Sequence, residues 1–394
     1  MAASTHASVT EQDLQGFKYF RALGSLFAHL HAAGTARDRA GNRQLFYDQY
    51  AAVVRLYFFS PTVTSLRGLQ QTTTLTKVHQ RLGVGRTSLG SLSEAAQVCD
   101  AALLQEVIAE LGSRLRPHVP VADQAALQHL TAMDGSLLPA LPKMAWALWQ
   151  EAQQRAAKMH VAVEVLRQVP VGATVTAGNA SERAELRRLV RPGGFYVMDR
   201  GYADYALFQE LHDLPCSFLV RVQYHAAYEV QEERPVSAAA EAAGVYRDCL
   251  LRRLGTPHQT RVLPQPFRVV GLTTDQTRPD GTPDRPVLVT NRLDVEAELV
   301  ALAFRYRWAV ELFFRWLKCV VGCRHLISQC ANGVSIQVYV ALIASLLISL
   351  WVGRPPTKRT DEMLCFYLSG WAREAEVVAH INQLHRRAPP PCKC

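Results

Sequence analysis

Apolar positions recur at helical spacing through residues 12–125, most plainly from Tyr47 to Phe59 and from Leu92 to Leu115. Ser91 and Ser93 with Glu94 predict a helix start, after the small-residue turn Arg86-Thr87-Ser88. From 126 the texture changes to strands alternating with helices. LQHLTAMDGS predicts a strand ending at Asp134-Gly135, and residues 158–166 and 173–178 two more, rich in β-branched side chains. ERAELRRLV predicts a charged amphipathic helix. GGFYVMDRGY predicts a short buried strand ending at Asp199, followed by the helix ADYALFQELHDL and a strand over 217–224. Residues 225–285 break this rhythm with short strands and turn-rich loops, and are expected to form a β-rich insertion. Residues 286–291 return as a strand, Asp294 is expected to cap a helix running to about Lys318, and another helix covers 334–352. Strands and helices in this order predict an α/β core with a mixed sheet covered by helices.

A length of 394 residues suggests two to three units. We divide the chain into a helical N-terminal region (1–125), a core (126–355) interrupted by the insertion (225–285), and a C-terminal tail (356–394). The N-terminal region fits a helical DNA-binding module and, equally, a helical bundle with solvated arginines. Hydrophobic residues at 49% and charged residues at 20% exclude a mostly disordered chain. Forty-three basic against 34 acidic residues give +9, which favours a polyanionic partner, nucleic acid or an anionic membrane surface. Nine cysteines, an odd count over so long a chain, exclude a small disulfide-stapled domain. The start MAASTHASVTEQDLQ shows no signal peptide pattern. The most apolar run, Val338 to Val352, falls short of the roughly 20 residues that cross a bilayer. We therefore expect a buried helix in a soluble, reduced, cytoplasmic protein. The tail APPPCKC is expected to be disordered, and no glycine loop predicts ATP use.

Candidate chemistry starts with Asp134 and Asp199, each where an apolar strand meets glycine. Asp-Gly and Asp-x-Gly are also ordinary turn signals. FRYRWAVELFFRWLK carries Phe304, Arg307, Glu311, Arg315 and Lys318 at spacings of three and four, so a continuous helix presents them on one face. Trp308, Val310, Leu312, Phe313, Trp316 and Leu317 are then expected to be buried. One acid ringed by bases suits a phosphate-lined cleft; a solvated stripe of ion pairs is the plainer alternative. Cys319, Cys323, His325 and Cys330 raise a zinc site, with buried free cysteines the commoner outcome. His160 reads as a core histidine.

Together, MDGS around Asp134, MDRGY around Asp199 and the helix with Arg307, Glu311 and Lys318 resemble the Asp-Asp-Glu transposases of bacterial insertion sequences, specifically the IS-four subgroup with a Tyr-x2-Arg-x3-Glu-x6-Lys signature. Here that signature is Phe304-x2-Arg307-x3-Glu311-x6-Lys318, with phenylalanine at the usual tyrosine. The resemblance covers about residues 45–355. It implies a ribonuclease-H-like core whose Asp134, Asp199 and Glu311 act in catalysis by holding two divalent ions, normally Mg²⁺ with Mn²⁺ as a substitute. It further implies DNA contacts from Arg307 and Lys318, with Arg305 and Arg315 as weaker candidates, and a homodimer on double-stranded DNA, at the nucleoid and without a membrane partner. The implied activity is cleavage at element ends and strand transfer into target DNA. A catalytically inactive DNA-binding relic and a stand-alone nuclease are the alternatives.

Overall fold

The computed structural model describes residues 10, 21–33, 41–60, 62–117, 125, 127–141, 143–148, 155–223, 226–256, 258–278, 281–320, 325–354 and 357–386. Expectations for residues 388–394 and for Cys323 lie outside these. Helices α1 (Arg21–His31), α2 (Tyr47–Phe59), α3 (Leu66–Thr72), α4 (Thr76–Leu82), α5 (Leu89–Val98) and α6 (Leu103–Ser113) come first. The helix start near Ser91 moves back to Ser88, whose hydroxyl accepts from the Ser91 N–H at 3.0 Å. The long helix expected to reach Leu115 is two, broken around Asp100.

The sheet contains β1 (Leu130–Pro139), β2 (Ala156–Glu164), β3 (Val169–Ala177), β4 (Phe195–Met198), β5 (Ser217–Arg221), β6 (Ala227–Glu233), β7 (Val245–Thr256), β8 (Gln259–Leu272) and β9 (Val287–Thr290). Their order is β3-β2-β1-β4-β5-β9-β8-β7-β6. β1, β4 and β5 run parallel, and the other neighbours pair antiparallel. Strands β6–β8 of the expected insertion thus extend the core sheet through β9. Side chains alternate between two apolar layers, as the strand period of two requires. Ala132, Phe195, Val197 and Leu219 enter one layer; Met133, Tyr196, Met198, Phe218 and Val220 enter the other. Helices α7 (Glu182–Leu189) and α8 (Tyr205–Asp213) cover the second layer through Leu186, Leu207, Phe208 and Leu211.

The first layer is covered by α10 (Ala297–Tyr306), α11 (Trp308–Arg315), a π-turn over Trp316–Val320, and α12 (Ala331–Val352). The short α9 (Ala238–Ala242) packs against α10. Three expectations change here. Asp294 does not cap the helix; it takes two hydrogen bonds from Arg292, both 2.8 Å, and the helix begins at Ala297 without a side-chain cap. The helix divides at Arg307 and widens into the π-turn. Leu312, expected inside, is 48% exposed.

α12 has 22 residues rather than the shorter span expected, enough by length and composition to cross a membrane; 89% of its apolar window is buried within the protein. Val340, Ile343, Leu346 and Leu347 are among the buried residues. It packs on β3, on α2, α5 and α6, and on the closing helix α14 (Glu374–Arg386), which pairs with α13 (Lys358–Leu368). Helices before residue 126 therefore share one apolar core with the sheet.

Candidate active site

Register brings the two aspartates together. β1 and β4 pair in parallel with Ala132 opposite Val197. Two residues further along each chain come Asp134 and Asp199, on the same face as Ala132 and Val197. β1 does not end at Asp134 as expected. Its pairing with β4 stops at Ala132, while its antiparallel pairing with β2 continues from Asp134 opposite Val161 to Pro139 opposite Ala156. Asp199 does leave its strand, and its Oδ1 accepts from the Gly201 N–H at 2.8 Å to start a 3₁₀ turn. α11 packs over β1 and β2 on that face. Its first turn carries Glu311. Asp134, Asp199, Glu311 and Arg307 all line one cavity of about 690 Å³.

The cavity is electrostatically tense. Asp134 accepts from the Gly135 N–H at 2.7 Å, yet burial pushes its carboxyl up to about 7 against that bond. The charge of Asp199 raises it further, Arg307 lowers it, and Glu182 raises it. Burial, with Glu182, Asp134 and Asp199 nearby, also pushes the Tyr202 phenol well up. Glu311 is turned to Arg307, Oε1 to Nη1 at 2.8 Å. The Arg307 guanidinium lies 5.9 Å from the Phe304 ring centroid and 5.8 Å from that of Trp308, within reach of a cation–π contact with each. Phenylalanine at 304 supplies one of these rings.

The donor set fits a hard divalent cation: the three acids offer oxygen alone, and a buried carboxyl beside other carboxylates is a local excess of negative charge that a cation offsets. Among the described residues no three His, Cys, Asp or Glu side chains already converge on one metal position.

The other expected residues lie elsewhere. Lys318 donates from Nζ to Ser136 Oγ at 2.5 Å and to the Leu137 carbonyl at 2.6 Å, tying the π-turn to β1 beside Asp134. The stripe that grouped it with Glu311 assumed an unbroken α-helix, and the π-turn changes its phase. Arg305 donates to the Ala243 carbonyl behind α9 at 2.6 Å. Arg315 is exposed and outside the cavity lining. His160 is buried, with Nε2 2.9 Å from Thr176 Oγ1. Cys330 caps α12, its sulfur accepting from the Gly333 N–H at 3.3 Å. The Cys319 side chain is outside the described residues.

Several lining residues carried no sequence signal. Arg221 of β5 and Arg278 and Arg285 of the insertion also line the cavity, where Asp284 takes a hydrogen bond from Arg221 at 2.9 Å and pairs with Arg278 at 3.5 Å. They come from a strand end and a turn-rich loop, where no periodicity marks direction. Arg200 sat inside MDRGY unremarked.

Comparison with known proteins bears on the family of the chain. The Transposase DDE domain family matches residues 126–347, which contain all three acids. A Sinorhizobium fredii protein named as transposase y4zB is 26% identical over 271 residues, covering 67% of this chain and 73% of its own. The protein named for insertion sequence element IS5377 of Geobacillus stearothermophilus is 26% identical over 227 residues, 57% of this chain and 56% of its own. The one named for element IS4SA of Synechocystis is 22% identical over 288 residues, 72% and 78%. A solved piggyBac transposase synaptic complex with hairpin DNA aligns over 96% of this chain and 82% of its own at a TM-score of 0.44 and 11% identity, too distant to carry an argument. With more than half its length matched and its acids gathered on one sheet face, the chain belongs to the DDE transposases of bacterial insertion sequences, enzymes that act on DNA.

Proposed function

We propose that the protein cleaves double-stranded DNA at the ends of its element and joins the freed ends to target DNA. The observation that carries this is the convergence of Asp134, Asp199, Glu311 and Arg307 in one cavity from three separate elements. The strand order β3-β2-β1-β4-β5, with β2 antiparallel between β1 and β3, supports a ribonuclease-H-like core. Phe304, Arg307, Glu311 and Lys318 support the Tyr-Arg-Glu-Lys subgroup.

In this reading Asp134, Asp199 and Glu311 hold two Mg²⁺ ions, with Mn²⁺ able to replace them. Bound there, the cations supply activation of the attacking oxygen and stabilisation of the leaving one. Asp134 and Asp199 each follow by two residues the last β1–β4 pair, Ala132 and Val197, so parallel register delivers both to one cavity. Arg307, within reach of two rings, presents its guanidinium to a DNA phosphate when Glu311 turns to the metal centre. Arg221, Arg278 and Arg285 line the same cavity and receive the flanking backbone. Lys318 holds the π-turn to β1. Arg305 and Arg315 stand outside this set. Helices before residue 126 add DNA contacts, the basic balance of the chain supports a polyanionic partner, and pairing of two ends calls for a DNA-bound homodimer. The proposed location is the cytoplasm, at the nucleoid.

The test uses the purified protein, Mg²⁺, and linear DNA carrying the sequences that flank the coding region. Nicks at one boundary followed by joining to a second duplex support the reading. Hydrolysis without joining marks a stand-alone nuclease, and binding without cleavage marks the relic; either overturns it.

A further inference from the structure

A fourth carboxylate lies against the glycines that follow Asp134 and Asp199, and no signature marks it. Glu182 opens α7, whose cap Ser181 accepts from the Ala184 N–H at 3.4 Å. Its Oε1 pairs with Lys158 Nζ of β2 at 2.7 Å, with the two side chains only 27% and 16% exposed. A methyl group added at Gly135 would sit 2.9 Å from Glu182 Oε1, and one at Gly201 would sit 3.3 Å from Oε2. One carboxylate thus faces both glycines, an oxygen to each, although at Gly201 the Asp199 Oδ1 is nearer, at 3.0 Å. Gly135 and Gly201 donate the N–H groups that orient Asp134 and Asp199.

We infer that Glu182, clamped by Lys158, is a positioning residue that locks the β1 backbone after Asp134 and the 3₁₀ turn after Asp199 into one unit, and that Gly135 is glycine to admit it. The inference rests on the reading of Asp134 and Asp199 as metal-holding acids. A carboxylate merely suited to a helix N-terminus would stabilise α7 and do no more. A wedge between the two glycines sets the angle between the two acids, and groups that orient metal ligands typically change metal affinity about 10- to 100-fold when removed.

The experiment measures Mn²⁺ binding to the full chain without DNA, by calorimetry, together with the melting temperature. Glu182→Ala and Glu182→Gln are each compared with Gly135→Ala and with the Gly135→Ala/Glu182→Ala pair. The expected result is a fall in Mn²⁺ affinity of about tenfold or more for both Glu182 variants. Gly135→Ala should bind poorly alone and should add a much smaller loss once Glu182 is alanine, because the nearest conflict has gone and only His160 Nδ1 at 3.3 Å and Lys158 Cε at 3.4 Å still face the new methyl. Wild-type Mn²⁺ affinity in both Glu182 variants, or independent losses that multiply in the double variant, would overturn the inference. Should wild type and Asp134→Asn bind Mn²⁺ alike, the metal reading fails by itself. The same cycle read in melting temperature then decides the wedge, coupled losses supporting it and additive losses ending it.

Discussion

At the scale of single residues, the acid of α11 and the two cations near it have separable tasks. Glu311→Gln keeps the shape of the side chain and weakens metal ligation, so cleavage in Mg²⁺ should drop by orders of magnitude while binding to DNA ends persists. Arg307→Ala should weaken end binding and lower the salt dependence by about one ion, because a phosphate contact is lost. Lys318→Met behaves differently in this account. With its Nζ committed to Ser136 and Leu137, its loss should lower the melting temperature and cleavage but leave the salt slope of DNA binding unchanged. A shallower salt slope for Lys318→Met would restore it to the DNA contacts. That Asp134, Asp199 and Glu311 line one cavity was legible because each sits in a short motif after an apolar strand or on a periodic helix. Lys318 lies off the expected stripe because helical periodicity counts residues as though the helix had no π-turn. Glu182 and Lys158 were invisible, since a salt bridge between a helix start and a strand leaves no spacing to read.

At the scale of elements, two devices hold the acid-bearing helix on the sheet. Arg268 and Asp248 form a buried pair, 1% and 4% exposed, with hydrogen bonds of 2.8 and 2.7 Å, and Arg268 also donates to the Val295 carbonyl just before α10. Strands β7 and β8 are thereby fastened to the start of the segment leading to Glu311. Asp248→Ala leaves a buried guanidinium without its carboxylate and should cost about 3–5 kcal/mol, measured by denaturant unfolding. Trp316 forms the second device, its Nε1 donating to Ser345 Oγ of α12 at 3.0 Å. Leu346, 1% exposed, lies on that helix, and Leu346→Asp should unfold the core, since an unpaired buried charge costs several kcal/mol of a total that is commonly about 5–15. A soluble, cleaving Leu346→Asp protein would contradict that placement. Strand and helix identities here followed from alternation and β-branching. Ends did not: β1 continues past the Asp-Gly signal because β2 is long enough to go on pairing with it.

At the scale of the whole molecule, the regions drawn from sequence texture merge. The switch from helical to alternating patterning near residue 126 is real, yet α2, α5 and α6 lie on α12 and β3 in the core that also contains α10 and α11. Periodicity reports which face of a helix is apolar and not what that face covers, so this packing was beyond sequence reading. A fragment of residues 126–355 should therefore expose the faces of α12 and β3 and aggregate, as judged by solubility and circular dichroism. A monomeric fragment with cooperative unfolding would mean that the N-terminal helices are dispensable. The insertion likewise joins the sheet and brings Arg278 and Arg285, beside Arg221 of β5, to the cavity that the acids line. What makes the site is thus a single scaffold: parallel register sets two acids, and a helix braced from both sides adds the third. The most direct test of that claim is the anomalous scattering of Mn²⁺ soaked into crystals of the full chain. The account predicts a peak bounded by Asp134 and Asp199, with Glu311 turned toward it; a crystal saturated with Mn²⁺ that shows the ion bound away from both aspartates would contradict it.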